Sequence, residues 1–198
     1  MRKTDLNILF IGDSITNGEF INPLEVFPKW IERDLNYSGL DRDINIEKLC
    51  KNNWTTRLAL SNEGWSDAMR FSPEIAVIQF GLNDCSRWIT DKGIRRVNRK
   101  SFKNNLIEMI QRLRSAGCQK IFLLTPHTVQ RKTEKYYSDL REYISVISEV
   151  ARHPDVALID MNIKIFLREY LLPDGVHLNR AGHQRYAQII LKAFGDLS

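Results

Sequence analysis

Apolar residues follow two alternating rhythms along the chain. Short runs rich in aliphatic and β-branched side chains occur at Leu6–Ile11, Ile44–Leu49, Ile75–Phe80, Lys120–Thr125 and Val156–Ile159. Their length and composition predict five buried strands. Between them, apolar positions recur three and four residues apart. One series is Leu24, Phe27, Trp30/Ile31 and Leu35, and a second is Phe102, Leu106, Met109/Ile110 and Leu113. A third is Tyr136, Leu140, Tyr143/Ile144, Ile147 and Val150, and the last is Ala181, Tyr186, Ile189/Ile190 and Ala193/Phe194. Each gives a helix one apolar face to lay on a sheet. Gly117 closes one helical pattern, Pro126 follows a strand and Gly182 lies early in the last helix, so the punctuation agrees with the rhythm.

Strand and helix alternate throughout, which predicts an α/β protein with a five-stranded, mostly parallel sheet covered on both faces. No repeat, linker or shift in composition divides the chain, and a single domain over 1–198 is expected. Open parallel sheets gather their chemistry at the C-terminal ends of the strands, so functional residues are sought just after each strand.

Three polar clusters occupy such places: Gly12-Asp13-Ser14 after the first strand, Gly81-Leu82-Asn83-Asp84 after the third, and Asp174-Gly175-Val176-His177 before the last helix. Acyl transfer by a serine needs a base, a group to orient that base, and donors aimed at the developing oxyanion. Ser14 is the candidate nucleophile, His177 the base and Asp174 the residue holding the imidazole, with acid and base on one turn. The Asn83 amide can donate to an oxyanion. Taken singly, Gly-Asp-Ser is an ordinary turn, Asp-x-x-His a surface pair and Gly-x-Asn-Asp a plain strand exit. Their occurrence together, in this order and each at the edge of an element, carries the argument.

With these motifs the chain resembles the GDSL-like, or SGNH, hydrolases over nearly its whole length, with Ile15 where that family more often has Leu. The resemblance implies a three-layer α/β/α sandwich of flavodoxin-like type. It also implies catalysis by Ser14, Asp174 and His177, with an oxyanion hole built from the Ser14 N–H and the Asn83 amide. The family's second block adds a glycine N–H to that hole, and here the chain departs. The matching stretch, Asn52-Asn53-Trp54-Thr55-Thr56-Arg57, contains no glycine, and Asn53 stands nearest the position. Its backbone N–H can still serve, and Asn is among the residues that best tolerate positive φ. Its side chain, however, adds bulk where substrate approaches, which favours an unusual or restricted substrate.

By this reading the chain cleaves carboxylic esters, with short acyl groups, acetyl above all, on a carbohydrate or other small alcohol. An acyltransferase delivering the acyl group to a glycan acceptor would use the same site. Trp54 and Trp88 flank the second and third blocks, either as pocket lining or as structural anchors. His127 is expected to be a loop histidine satisfied by water, and His153 and His183 to have ordinary helix-end or surface roles. Asp13 and Asp84 are expected to tie down their own turns, and Cys85 to pack. There is no Gly-x-Gly-x-x-Gly, P-loop or His-Glu-x-x-His, and Gly-x-Ser-x-Thr is not the α/β-hydrolase elbow. No nucleotide or metal cofactor is expected.

Composition adds less. The three cysteines, Cys50, Cys85 and Cys118, are widely spaced and are expected to be reduced thiols in a cytoplasmic protein. Arg2 and Lys3 are followed by Asp5, and the apolar run from Leu6 stops at Gly12-Asp13, so a cleaved signal is not expected, and no apolar run approaches the roughly 18 to 20 residues that span a bilayer. The net charge of +5 is unevenly placed. Lys92, Arg95, Arg96, Arg99, Lys100 and Lys103 lie together without an acidic residue, leaving 23 basic side chains against 24 acidic ones elsewhere. This segment is either a solvated loop and helix start or, through Arg95 and Arg96, a means of attracting an anionic substrate. Nucleic acid is not the expected partner. The reading from another class is a non-catalytic binder of nucleic acid or another polyanion through residues 92–103.

Overall fold

The computed structural model describes residues 5–130, 134–164 and 168–195. Five strands form one parallel sheet: β1 (Leu6–Gly12), β2 (Ile44–Cys50), β3 (Ile75–Gln79), β4 (Lys120–Leu124) and β5 (Val156–Ile159), in the order β2-β1-β3-β4-β5. The helices between them are α1 (Ser14–Asn17), α2 (Phe27–Asn36), α3 (Thr56–Leu60), α4 (Trp65–Arg70), α5 (Leu82–Cys85), α6 (Arg99–Ser115), α7 (Leu140–Val150), α8 (Met161–Lys164) and α9 (Arg180–Phe194). The fold is the α/β sandwich expected from the alternation.

The strands differ in burial because they differ in place. All of β3 is buried, and so is nearly all of β1, whereas the edge strands β2 and β5 alternate or lie half open. Their hydrophobic runs had predicted full burial. An edge strand has a neighbour on one side only, and its flank meets solvent where no helix covers it.

Register explains the two helical layers. Phe10, Val77 and Phe122 are adjacent on β1, β3 and β4. Phe10 meets Phe27 of α2 edge-on at 5.6 Å, and Phe122 meets Phe194 of α9 at 5.0 Å. The helices α2 and α9 pack on one another as one layer, while α6 packs against α7 and α3, with Phe102 and Tyr143 at 4.9 Å, as the other. Side chains of this size contribute roughly 1.5–3 kcal/mol each when buried, so the amphipathic series read from the sequence are the main glue.

The strand order also creates the site. The chain passes from β1 outward to β2, then returns across β1 to begin β3 on its other side. At their C-terminal ends Gly12 is in register with both Cys50 of β2 and Gln79 of β3. The turns that follow these three strands are therefore neighbours at a reversal of strand order, where such sheets form a crevice.

Gly12 is what lets the ends of β1 and β3 and the start of α1 close up. A Cβ there would stand 2.9 Å from the Gln79 carbonyl oxygen and 2.1 Å from Thr16 Oγ1. Gly12→Ala must part β1 from β3, and overpacking of this kind costs about 1–3 kcal/mol. The expected outcome is a thermal midpoint lowered by roughly 2–12 °C, measured by calorimetry. A midpoint equal to wild type would contradict the close approach.

Candidate active site

Ser14 is the first residue of α1, directly beyond β1. The Asp13 side chain caps this short helix by accepting the Ile15 N–H at 2.9 Å, as expected for an Asx-type turn. The Ser14 side chain lies 3.0 Å from His177 Nε2, and His177 Nδ1 lies 2.6 Å from Asp174 Oδ2. With Nδ1–H donating to the carboxylate, Nε2 is free to accept the serine O–H. Residues 163 positions apart in the chain are thus in one hydrogen-bonded line.

The Asp174–His177 turn is over-determined. Asp174 Oδ1 accepts the N–H groups of Val176 at 2.8 Å and His177 at 3.0 Å. Partial burial works against the charge on Asp174, yet these N–H groups and the His177 ring outweigh it and hold its carboxyl below the ordinary range. Leu172 N–H donates to the His177 carbonyl, and Gln130 N–H to that of Gly175. Behind the turn is His127. It is not a hydrated loop residue but fully buried, with Nε2 at 2.7 Å from the Val176 carbonyl and Nδ1 at 2.6 Å from the Tyr186 hydroxyl. The carbonyl partner requires Nε2–H, so Tyr186 donates to Nδ1. His183 is also buried rather than at the surface, and its Nδ1 accepts the Phe27 N–H. Only His153 is exposed.

The second block closes the other side. Asn53 has φ 63°, in the left-handed region, so the departure from glycine keeps the conformation that glycine serves. Its N–H has no acceptor among the described residues, and neither has that of Ser14. Arg96 Nη1 donates to the Asn53 carbonyl at 3.2 Å, and Asn83 Nδ2 donates to the Trp54 carbonyl at 2.9 Å. Asn83 therefore clamps the second block with one amide hydrogen and keeps another for a ligand. Asp84 does not tie down its own turn, as the sequence suggested, but bonds to the second block. Its Oδ1 accepts both the N–H of Thr56 at 2.9 Å and its hydroxyl at 2.6 Å, across 28 residues of sequence.

Of the remaining candidates, Arg96 reaches the site through the Asn53 carbonyl, and the others have partners away from the Ser14–His177 line. Trp54 is buried, and Trp88 stacks on Tyr136 at 4.3 Å, contacts of the kind structural anchors make. Arg95 is held by Asp139 and Glu142, Arg99 by Glu142, and Lys103 by Glu149, while Arg96 lies 4.0 Å from Asp91. Three of the six cations between 92 and 103, Arg95, Arg99 and Lys103, thus meet carboxylates distant in sequence. Cys85 is buried, and burial pushes its thiol far up, which agrees with a packing role.

One residue at the site went unread in the sequence. Glu19 Oε2 lies 3.2 Å from His177 Nε2. The signal available was a charged residue beside an aromatic one, Glu19-Phe20, immediately after the first block.

Comparison with known proteins shows the family and the fold. The chain belongs to the GDSL-like lipase/acylhydrolase family, whose model matches residues 10–185. It is 24% identical over 217 residues to an acetylxylan esterase of Xylanibacter ruminicola, covering 97% of this chain and 44% of that protein. The chain spans less than half the length of the curated relatives it matches. A lipase/acylhydrolase from Enterococcus faecalis superposes with TM-score 0.79 at 25% identity, over 96% of this chain and 95% of that one. An acetylxylan esterase from Geobacillus stearothermophilus has the same fold, with TM-score 0.79 at 21% identity over 98% and 96% of the two chains. Among the described residues, no helix is long and apolar enough to cross a membrane.

Burial around the site also sets a pH dependence. Burial raises the Asp13 carboxyl to about 7; the Ile15 N–H opposes this and the Asp84 charge adds to it. The folded state keeps a proton that the unfolded chain releases near 4. The stability this proton contributes is complete below about pH 4 and is lost as pH rises through about 7. The buried histidines have the opposite sign: burial lowers His127 to about 4 and His183 to about 3, so they oppose folding as pH falls below about 6.5. Comparing wild type with Asp13→Asn isolates the first effect, because the amide oxygen can still cap Ile15. From about pH 4 to pH 7.5 the variant is expected to gain on wild type by an amount on the order of 3–4 kcal/mol, followed by denaturant melts. A difference independent of pH would contradict the burial of this carboxyl.

Proposed function

We propose that this chain is a carboxylic ester hydrolase that removes short acyl groups, acetyl in particular, from a carbohydrate or other small alcohol through an acyl-enzyme on Ser14. The observation that carries this reading is the line from Asp174 Oδ2 to His177 at 2.6 Å and from His177 to Ser14 at 3.0 Å. The family and the acetylxylan esterases among its relatives support the ester and the acetyl group. Ser14 Oγ attacks the ester carbonyl while Nε2 takes its proton. The tetrahedral oxyanion is received by the N–H groups of Ser14 and Asn53 and by the Asn83 amide. Nε2 then protonates the departing alcohol, and a water attacking by the reverse route frees Ser14.

The pairing of Arg95, Arg99 and Lys103 with carboxylates lessens the charge available to an anionic substrate or a polyanion. Ser14→Ala is expected to abolish hydrolysis of a neutral acetyl ester, and Asn83→Ala to lower kcat by about 10²–10³-fold. Intact-mass analysis after a fluorophosphonate, with peptide mapping, should place a single adduct on Ser14. A folded sample that hydrolyses acetyl esters without labelling at Ser14 would overturn the mechanism.

A further inference from the structure

His177 Nε2 has two neighbours on one side. The Ser14 hydroxyl is 3.0 Å away and the Glu19 carboxylate 3.2 Å away. A nitrogen in the imidazole plane directs one lone pair or one N–H, and in acyl transfer it has to serve two oxygens in turn. It takes the proton of Ser14 as the Oγ–C bond forms, and it returns that proton to the alcohol oxygen as the ester C–O bond breaks. Glu19 Oε2 stands beside the place where the second oxygen has to arrive.

The chain is built to keep it there. The N–H groups of Gly18 and Glu19 both donate to the Ser14 carbonyl, at 2.9 and 3.0 Å, so the turn carrying Glu19 is bonded back to the nucleophile. Gly18 has φ 79°, and a Cβ there would run into Val26 Cγ1 at 2.0 Å. Phe20 follows at φ 69°, a region that bulky side chains rarely adopt. Its ring meets that of His177 edge-on at 5.3 Å while remaining 72% exposed. Backbone strain of this kind persists where the surrounding structure enforces it and clusters at functional sites. It sets an open aromatic face beside the histidine and leaves the Glu19 side chain about one-fifth exposed, at 22%.

We propose that Glu19 is a specificity-determining residue that reads the leaving alcohol. An alcohol bringing a hydroxyl on the adjoining carbon can donate to the carboxylate as its own oxygen takes the place beside Nε2. An alcohol carrying a negative charge is turned away, because two like charges are brought together in a partly desolvated crevice. Selection comes from the turn after the nucleophile's helix, and its sign is opposite to the one that the basic segment at 92–103 implies. The inference rests on the acyl-enzyme reading of Ser14.

Three acetate esters of similar alcohols test it: the monoacetate of ethylene glycol, the acetate of ethylene glycol monomethyl ether, and the acetate of hydroxypropanoate. For wild type, kcat/KM is expected to fall in that order. Glu19→Gln should narrow the gap between the glycol and the anionic ester by about tenfold or more, since it removes charge but keeps an acceptor. Glu19→Ala should in addition abolish the preference for glycol over methyl ether. A wild-type enzyme that hydrolyses the anionic ester as fast as the glycol ester overturns the proposal whatever the variants do. So do ratios that Glu19→Gln leaves unchanged while hydrolysis still requires Ser14. If no ester is turned over and a fluorophosphonate fails to label Ser14, the acyl-enzyme reading itself falls, and the inference with it.

Discussion

The site depends on one buried carboxylate, Asp84, which ties the turn after β2 to the helix after β3. Its Oδ1 accepts two hydrogen bonds from Thr56, whose hydroxyl in turn accepts from Asn105 of α6. Its other oxygen is buried with no donor among the described residues, and burial raises the carboxyl to about 6. Hydrogen bonds to a charged acceptor contribute roughly 1.5–3 kcal/mol each, and leaving such a group without its partners costs at least as much. The Asn83 amide reinforces the tie by holding the Trp54 carbonyl, and Arg96 holds that of Asn53. The conformation of Asn53, which its residue type tolerates, is therefore held in place by the network.

The acid–base turn is fixed in the same manner from the other side. His127, neutral and fully buried, spends one ring nitrogen on Val176 and the other on Tyr186 of α9. A small displacement of a reacting group can cost orders of magnitude in rate. Interior hydrogen bonds of this kind, rather than the surface position of Asp174 and His177 alone, keep Nε2 within reach of Ser14. The arrangement is held at the expense of burying Asp13, Asp84, His127 and His183, whose titrations bear on stability with opposite signs.

Much of this was legible in the sequence because it follows from periodicity and from local spacing. The strands and the long helices were set by runs of apolar residues, and Asp174 and His177 share one turn. Ser14 and Asn83 follow strands that happen to be neighbours. What could not be read depends on contacts between residues far apart. The short helices α1, α3, α4, α5 and α8 have too few residues to carry a period. The half-open edges of β2 and β5 follow from strand order, which no run of aliphatic residues encodes. His127 looked like a loop residue because the helix that buries it, with Tyr186, comes 59 residues later. Arg95, Arg99 and Lys103 looked unopposed because Asp139, Glu142 and Glu149 lie in or just before α7. The positive φ of Asn53 was the exception: a glycine position refilled by Asn points to it directly.

The central claim is that three turns converge to receive an oxyanion, with Asn53 in the place of the family's glycine. A crystal structure of the Ser14 phosphonate adduct, a stand-in for the tetrahedral intermediate, tests it most directly. The phosphonyl oxygen is expected within about 3 Å of the Ser14 and Asn53 backbone nitrogens and of Asn83 Nδ2. An oxygen directed away from Asn53, or an Asn53 peptide turned so that its N–H leaves the site, would contradict the account.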